Sequence, residues 1–127
     1  MIKLEELNPH KYATTPEIDA NLNTLLTKLN KVRSAYNTPM IVSSGLRDNA
    51  QQQALIAAGK SKASKSKHLT GEAADILDKD GKLKDWINNN VELMETIGVW
   101  FEDFGYTKNW VHIQIVKPLS GRRFFIP

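Results

Sequence analysis

The sequence predicts an α+β fold: a small antiparallel sheet with helices packed against it, in a single domain of 127 residues. Three observations carry that expectation. Apolar residues recur at helical spacing through Ile18, Leu22, Leu25, Leu26, Leu29, Val32 and Tyr36. Short β-favouring runs at Met40–Ser44, Ala73–Leu77, Val99–Phe101 and Trp110–Val116 are interspersed with helical stretches. The last two runs flank Gly105-Tyr106-Thr107-Lys108 and read as an antiparallel hairpin.

Thr15-Pro16-Glu17 starts the first helix, with Thr15 as N-cap, proline in the first helical position and an acid in the first turn. Asn37-Thr38-Pro39 ends it, because the residue before proline is pushed out of helical geometry. Met40–Ser44 is a strand that feeds a loop at Gly45. Asp48 caps a shorter helix reaching Ala58, with Gly59 as its stop. Gly59 to Lys67 is a polar basic loop.

Ala73–Leu77 is the next strand, closed by the turn Asp78-Lys79-Asp80-Gly81. That turn begins like a calcium loop, but Asn89 stands at the twelfth position where a glutamate is needed, so calcium is rejected. Leu83 to Ile97 reads as one helix with Leu83, Trp86, Ile87, Val91, Met94 and Ile97 buried. The tail 119–127 offers a last edge strand, and Trp86 and Trp100 are expected in the core. His10, isolated in a polar segment, is expected at the surface.

Composition bounds the function. Hydrophobic content of 41% and charged content of 24% are those of a soluble globular protein, and no run approaches the roughly 20 apolar residues of a membrane helix. The opening residues carry no apolar core of a signal peptide, which suggests a cytoplasmic protein awaiting release or one carried in a virion. Without cysteine there are no disulfides, and any metal must be held by nitrogen and oxygen. A net charge of +3 and pI near 9.2 favour an anionic partner, wall polymer or nucleic acid. The basic loop lacks interleaved aromatic residues for base stacking, which speaks against nucleic acid.

The segment richest in chemistry is Ser66-Lys67-His68-Leu69-Thr70-Gly71-Glu72-Ala73-Ala74-Asp75. A second histidine follows in Trp110-Val111-His112. Two imidazoles and a carboxylate leave a fourth tetrahedral position open, as in catalytic rather than structural zinc sites. The small residues Gly71, Ala73 and Ala74 suit a turn and strand passing close to an ion. The same spacing also arises by chance, and a histidine on an apolar strand is commonly a satisfied core residue.

The pattern Ser-x-His-x-x-Gly-x-Ala-x-Asp, followed by Trp-x-His, resembles the signature of zinc D-Ala-D-Ala carboxypeptidases and L-Ala–D-Glu endopeptidases. These are peptidoglycan-cutting enzymes that include many phage endolysins. Val42-Ser43-Ser44-Gly45-Leu46-Arg47 is similar to that family's Ser-Gly-Tyr-Arg block, with Leu46 in place of the aromatic residue. The resemblance runs from about Leu22 to Gln114. It implies one zinc ion held by His68, Asp75 and His112, and a peptidoglycan stem peptide as substrate.

The resemblance also assigns further roles. Arg47 would face the substrate, stabilising an oxyanion or holding a peptide carboxylate; otherwise it is a loop charge or pairs with Asp48 or Glu72. In several relatives the general base stands three positions before the last histidine, but here that residue is Asn109, which cannot act as one. If the hairpin is symmetric about Thr107, Glu102 lies opposite His112 and looks into the site, whereas Asp103 points away. One residue of slip makes Asp103 the candidate instead, and both also read as plain strand charges. Ser66 is placed to bond near the ligand or to close a turn, and Trp110 to wall the pocket. The leading expectation is a zinc metallopeptidase acting on the cell wall, without a membrane partner. The alternative is an inactive zinc-bearing binding module, as in the related hedgehog signalling domain.

Overall fold

The computed structural model describes residues 1–59 and 66–127. Most of the expected basic loop, 60–65, lies outside the described residues. Among the described residues five α-helices and five strands follow in the order α1 (Leu4–Leu7), α2 (Pro16–Tyr36), β1 (Val42–Ser44), α3 (Asn49–Ala57), β2 (Ala73–Leu77), α4 (Lys82–Asn88), α5 (Val91–Ile97), β3 (Trp100–Glu102), β4 (Trp110–Gln114) and β5 (Phe124–Phe125). The α+β expectation holds.

The start and stop signals behave as their chemistry requires. Thr15 Oγ1 accepts the Ile18 N–H at 3.2 Å and Asp48 Oδ1 accepts that of Gln51 at 2.8 Å, each satisfying an orphan donor of a first turn. Asn37 closes α2 in the left-handed region at φ 55°. Asp78, rather than contributing to a calcium loop, accepts the N–H groups of Leu83 and Lys84 at 3.1 and 3.0 Å and anchors α4.

The strand order is β1-β2-β4-β3-β5, so β4 sits centrally between β2 and β3. All pairings are antiparallel except that of β3 with β5, which makes the tail a parallel edge strand. Alternate residues serve two faces. Ala74, Ile76, Val111, Ile113 and Phe101 are fully buried in the apolar cluster with Leu22, Leu25, Leu29 and Val32 of α2. Asp75, His112, Gln114 and Glu102 stand at the intervening positions.

Two expectations are corrected. The helix foreseen from Leu83 to Ile97 is two helices, broken at Asn89 and Asn90. The side chains of these residues reach back to the carbonyls of Asp85 and Trp86 at 2.9 and 2.7 Å, competing with helix propagation. Trp100 is not in the core: Phe101 occupies that face, so Trp100 turns to the other, where the Arg123 guanidinium covers its ring at 4.8 Å. Gly71 (φ +76°) sits in the turn before β2, where a Cβ would stand 3.0 Å from Leu22 Cγ. The N-terminal residues form α1 with Leu7 wholly buried. The Leu7 carbonyl accepts the Leu46 N–H at 2.7 Å, and Gly45 lies so close to the Leu7 backbone that no Cβ fits.

Candidate metal centre

The register of β2 with β4 sets Asp75 directly opposite His112. His68 reaches the same point from the turn before β2, where Ser66 Oγ accepts the His68 N–H at 3.2 Å. Ser66 thus closes the turn that carries the first histidine. Asp75 Oδ1 lies 3.3 Å from His68 Nε2 and 3.1 Å from His112 Nδ1. One donor atom from each residue falls within 4.8 Å of the others, and all three side chains are buried. Among the described residues this is the group able to hold a metal ion.

The second nitrogen of each imidazole is already committed. His68 Nδ1 is 2.8 Å from the Gly45 carbonyl, which can only accept, so Nδ1 carries the proton and Nε2 presents a lone pair. Gln114 Nε2 donates to the Val116 carbonyl at 2.8 Å, which turns its Oε1 toward His112 Nε2 at 3.0 Å. His112 Nε2 therefore donates, and Nδ1 faces Asp75. Such outer partners fix the tautomer and ring orientation of metal-ligating histidines. The donor set, two oriented imidazoles and a carboxylate without sulfur, suits zinc.

Electrostatics separate the two histidines. Burial pushes the wholly enclosed His68 down, against the pull of Asp75. Burial would also lower His112, but hydrogen bonds and charge from Asp75, with help from Gln114 and Glu102, raise it. Asp75 is the reverse case: burial alone would raise it, yet the two imidazoles hold it well below the usual carboxylate range.

Arg47 is brought to this centre and not to the surface. Its Nη2 is 3.2 Å from Asp75 Oδ2, its Nε donates to Ser44 Oγ at 3.1 Å and its Nη1 to Gln52 Oε1 at 3.0 Å. The alternatives of a partner in Asp48 or Glu72 are not what forms. Desolvation lowers the Arg47 pKa, partly offset by the charges of Asp75 and Glu102.

Glu102 and Asp103 occupy different environments. The observed pairs Trp100–Gln114 and Phe101–Ile113, continued one step, set Glu102 across from His112. The Glu102 charge is felt at both His112 and Arg47. Asp103 instead accepts the Gly105 N–H at 2.9 Å and caps a single 3₁₀ turn, Phe104–Tyr106. Lys84 Nζ donates to the carbonyls of Thr107 and Lys108 and ties that turn to α4. Trp110 is half-buried at the end of β4, two residues before His112 and on the same face. Asn109 is exposed, and its carbonyl receives the Asp78 N–H at 2.8 Å. His10 is exposed, as expected.

Three contributors were missed in the sequence. Gln114 and Gln52 are amides that only burial distinguishes from ordinary polar residues. Phe125 of the tail strand sets its ring edge-on to His112, 6.0 Å between centroids.

Among curated proteins none matches this chain. The chain is similar in structure to the crystal structure of Serratia marcescens L-Ala D-Glu endopeptidase ChiX, with a TM-score of 0.59 and 24% identity. That likeness covers 91% of this chain and 99% of the other, and it establishes a shared fold. The family model described as peptidase M15 matches residues 1–114, most of the chain and all of His68, Asp75 and His112. On that match the chain belongs to the peptidase M15 family.

Proposed function

We propose that this chain is a zinc-dependent peptidase that hydrolyses a peptide bond in the stem peptide of peptidoglycan. The observation that carries the reading is the buried His68–Asp75–His112 group, with the outward nitrogen of each imidazole already held by Gly45 or Gln114. Membership of the family and the printed activity of the structural neighbour support the choice of reaction and substrate class. The net charge of +3 suits an anionic wall polymer.

His68 Nε2, Asp75 Oδ1 and His112 Nδ1 would hold the ion. When bound, zinc supplies Lewis-acid polarisation of a carbonyl and of a water molecule. Glu102 takes the proton from the attacking water and delivers it to the leaving amine, so the carboxylate is regenerated at the end of the cycle. A guanidinium has five N–H groups, and Arg47 commits three nitrogens to Ser44, Gln52 and Asp75. Its remaining hydrogens serve the developing oxyanion or a peptide carboxylate. Trp110 and Phe125 wall the site, and Ser66 holds the ligand turn.

Mass spectrometry of muropeptides after digestion of purified peptidoglycan tests this directly. Release of a peptide fragment or a terminal residue supports the reading and separates endopeptidase from carboxypeptidase action. A zinc-loaded protein that releases neither overturns the hydrolase and leaves the binding module.

A further inference from the structure

We infer that Gln52 is a positioning residue of the metal centre, acting through the Arg47 guanidinium on Asp75. The inference rests on the zinc reading above. It starts from an oddity of α3: among the described residues of that helix, Gln52 is the one that is fully buried. An amide removed from water is costly unless hydrogen-bonded, and a merely space-filling position is served better by leucine. The neighbours Leu55 and Ile56 are only half-buried.

Gln52 Oε1 receives Arg47 Nη1 at 3.0 Å, Ser44 Oγ receives Nε at 3.1 Å, and Asp75 Oδ2 receives Nη2 at 3.2 Å. The Arg47 backbone N–H meanwhile donates to the His68 carbonyl at 3.0 Å. A planar fork with an acceptor on each nitrogen has little freedom to rotate. Fixed in this way, Arg47 engages Oδ2 of Asp75 and leaves Oδ1 alone facing both imidazoles, which makes Asp75 a one-oxygen ligand. Without the Gln52 acceptor the fork swings, and Asp75 is no longer held in that orientation. Outer partners of metal ligands typically cost about 10–100-fold in affinity when removed.

The test is the zinc dissociation constant, measured by chelator competition on the full chain, for Gln52→Leu in the Arg47 and Arg47→Lys backgrounds. Lysine keeps the charge but not the fork. We expect Gln52→Leu to weaken zinc binding about 10-fold or more beside Arg47, and by less than about 3-fold beside lysine, since the effect passes through the guanidinium. Ser44→Ala, on half-buried β1, removes a second acceptor without touching α3, and should show the same dependence on Arg47 with a smaller loss. It serves where Gln52→Leu fails to fold. Equal losses in both backgrounds, or no loss beside Arg47, overturn the inference and reduce Gln52 to a packing residue. A wild-type chain that binds no zinc overturns the metal reading itself, and this inference with it.

Discussion

The two faces of the central strand pair are built by different rules. On one face of β2 and β4, Ala74, Ile76, Val111 and Ile113 meet the apolar side of α2 and are wholly excluded from water. On the other face, Asp75, His112 and Gln114 are nearly as buried, at 7, 8 and 5% exposure, but each depends on a specific polar partner. The apolar face is non-directional, so its stability is spread over many contacts and its residues exchange with graded cost. The polar face is directional and coupled: removing one member leaves another buried group unsatisfied. The same strands therefore separate stability from chemistry by the parity of the residue.

The largest test of that separation lies at the ligands. His68→Ala and His112→Ala should each abolish stoichiometric zinc, read by elemental analysis, and with it peptidoglycan hydrolysis. Full metal occupancy in both variants would remove these residues from the ligand set. Next in size is Glu102→Gln, which should keep fold and zinc while lowering the hydrolysis rate by roughly 10²–10⁴-fold. A rate unchanged by that substitution assigns the proton to another group. On the opposite face, Ile113→Ala should destabilise by about 2–5 kcal/mol in denaturant titration while zinc stoichiometry per folded molecule holds. Metal loss without unfolding in that variant would show the faces to be coupled. The smallest effect belongs to Asp103→Asn: it keeps an oxygen for the Gly105 N–H, and hydrolysis should stay within about 3-fold of the parent. A collapse of the rate there, with Glu102→Gln silent, would exchange the roles of the two acids.

What could be read from the sequence follows the same division. Thr15-Pro16, Asp48 and the apolar stripe of α2 announced themselves because caps and periodicity are local signals. The hairpin register was legible as well: symmetry about Thr107 is what the pairing of Trp100 with Gln114 and Phe101 with Ile113 follows, although the link between the strands contains a 3₁₀ turn. The break at Asn89 was not, because no proline or glycine marks it and asparagine acts there only by turning its side chain onto the backbone. Gln51, Gln52 and Gln53 are identical as letters, and only the docking of α3 buries the middle one. Trp100 looked like core by size, yet parity with Phe101 gave it to the other face. Of the site, the candidate ligands stood out by their match to the family pattern rather than by spacing alone, while the amides Gln114 and Gln52 are visible only in three dimensions.

The central place of β4 has a consequence for the chain as it leaves the ribosome. A nascent chain that has reached β3 has made both neighbours of β4 but not the strand that joins them. Their facing edges then offer unpaired backbone groups, and only two of the three candidate donors, His68 and Asp75, exist. When β4 inserts, it joins β2 to β3 and delivers His112 and Gln114 in the same step. Assembly of the candidate donor set and the joining of β2 to β3 are thus one event, and products truncated before Trp110 would lack both.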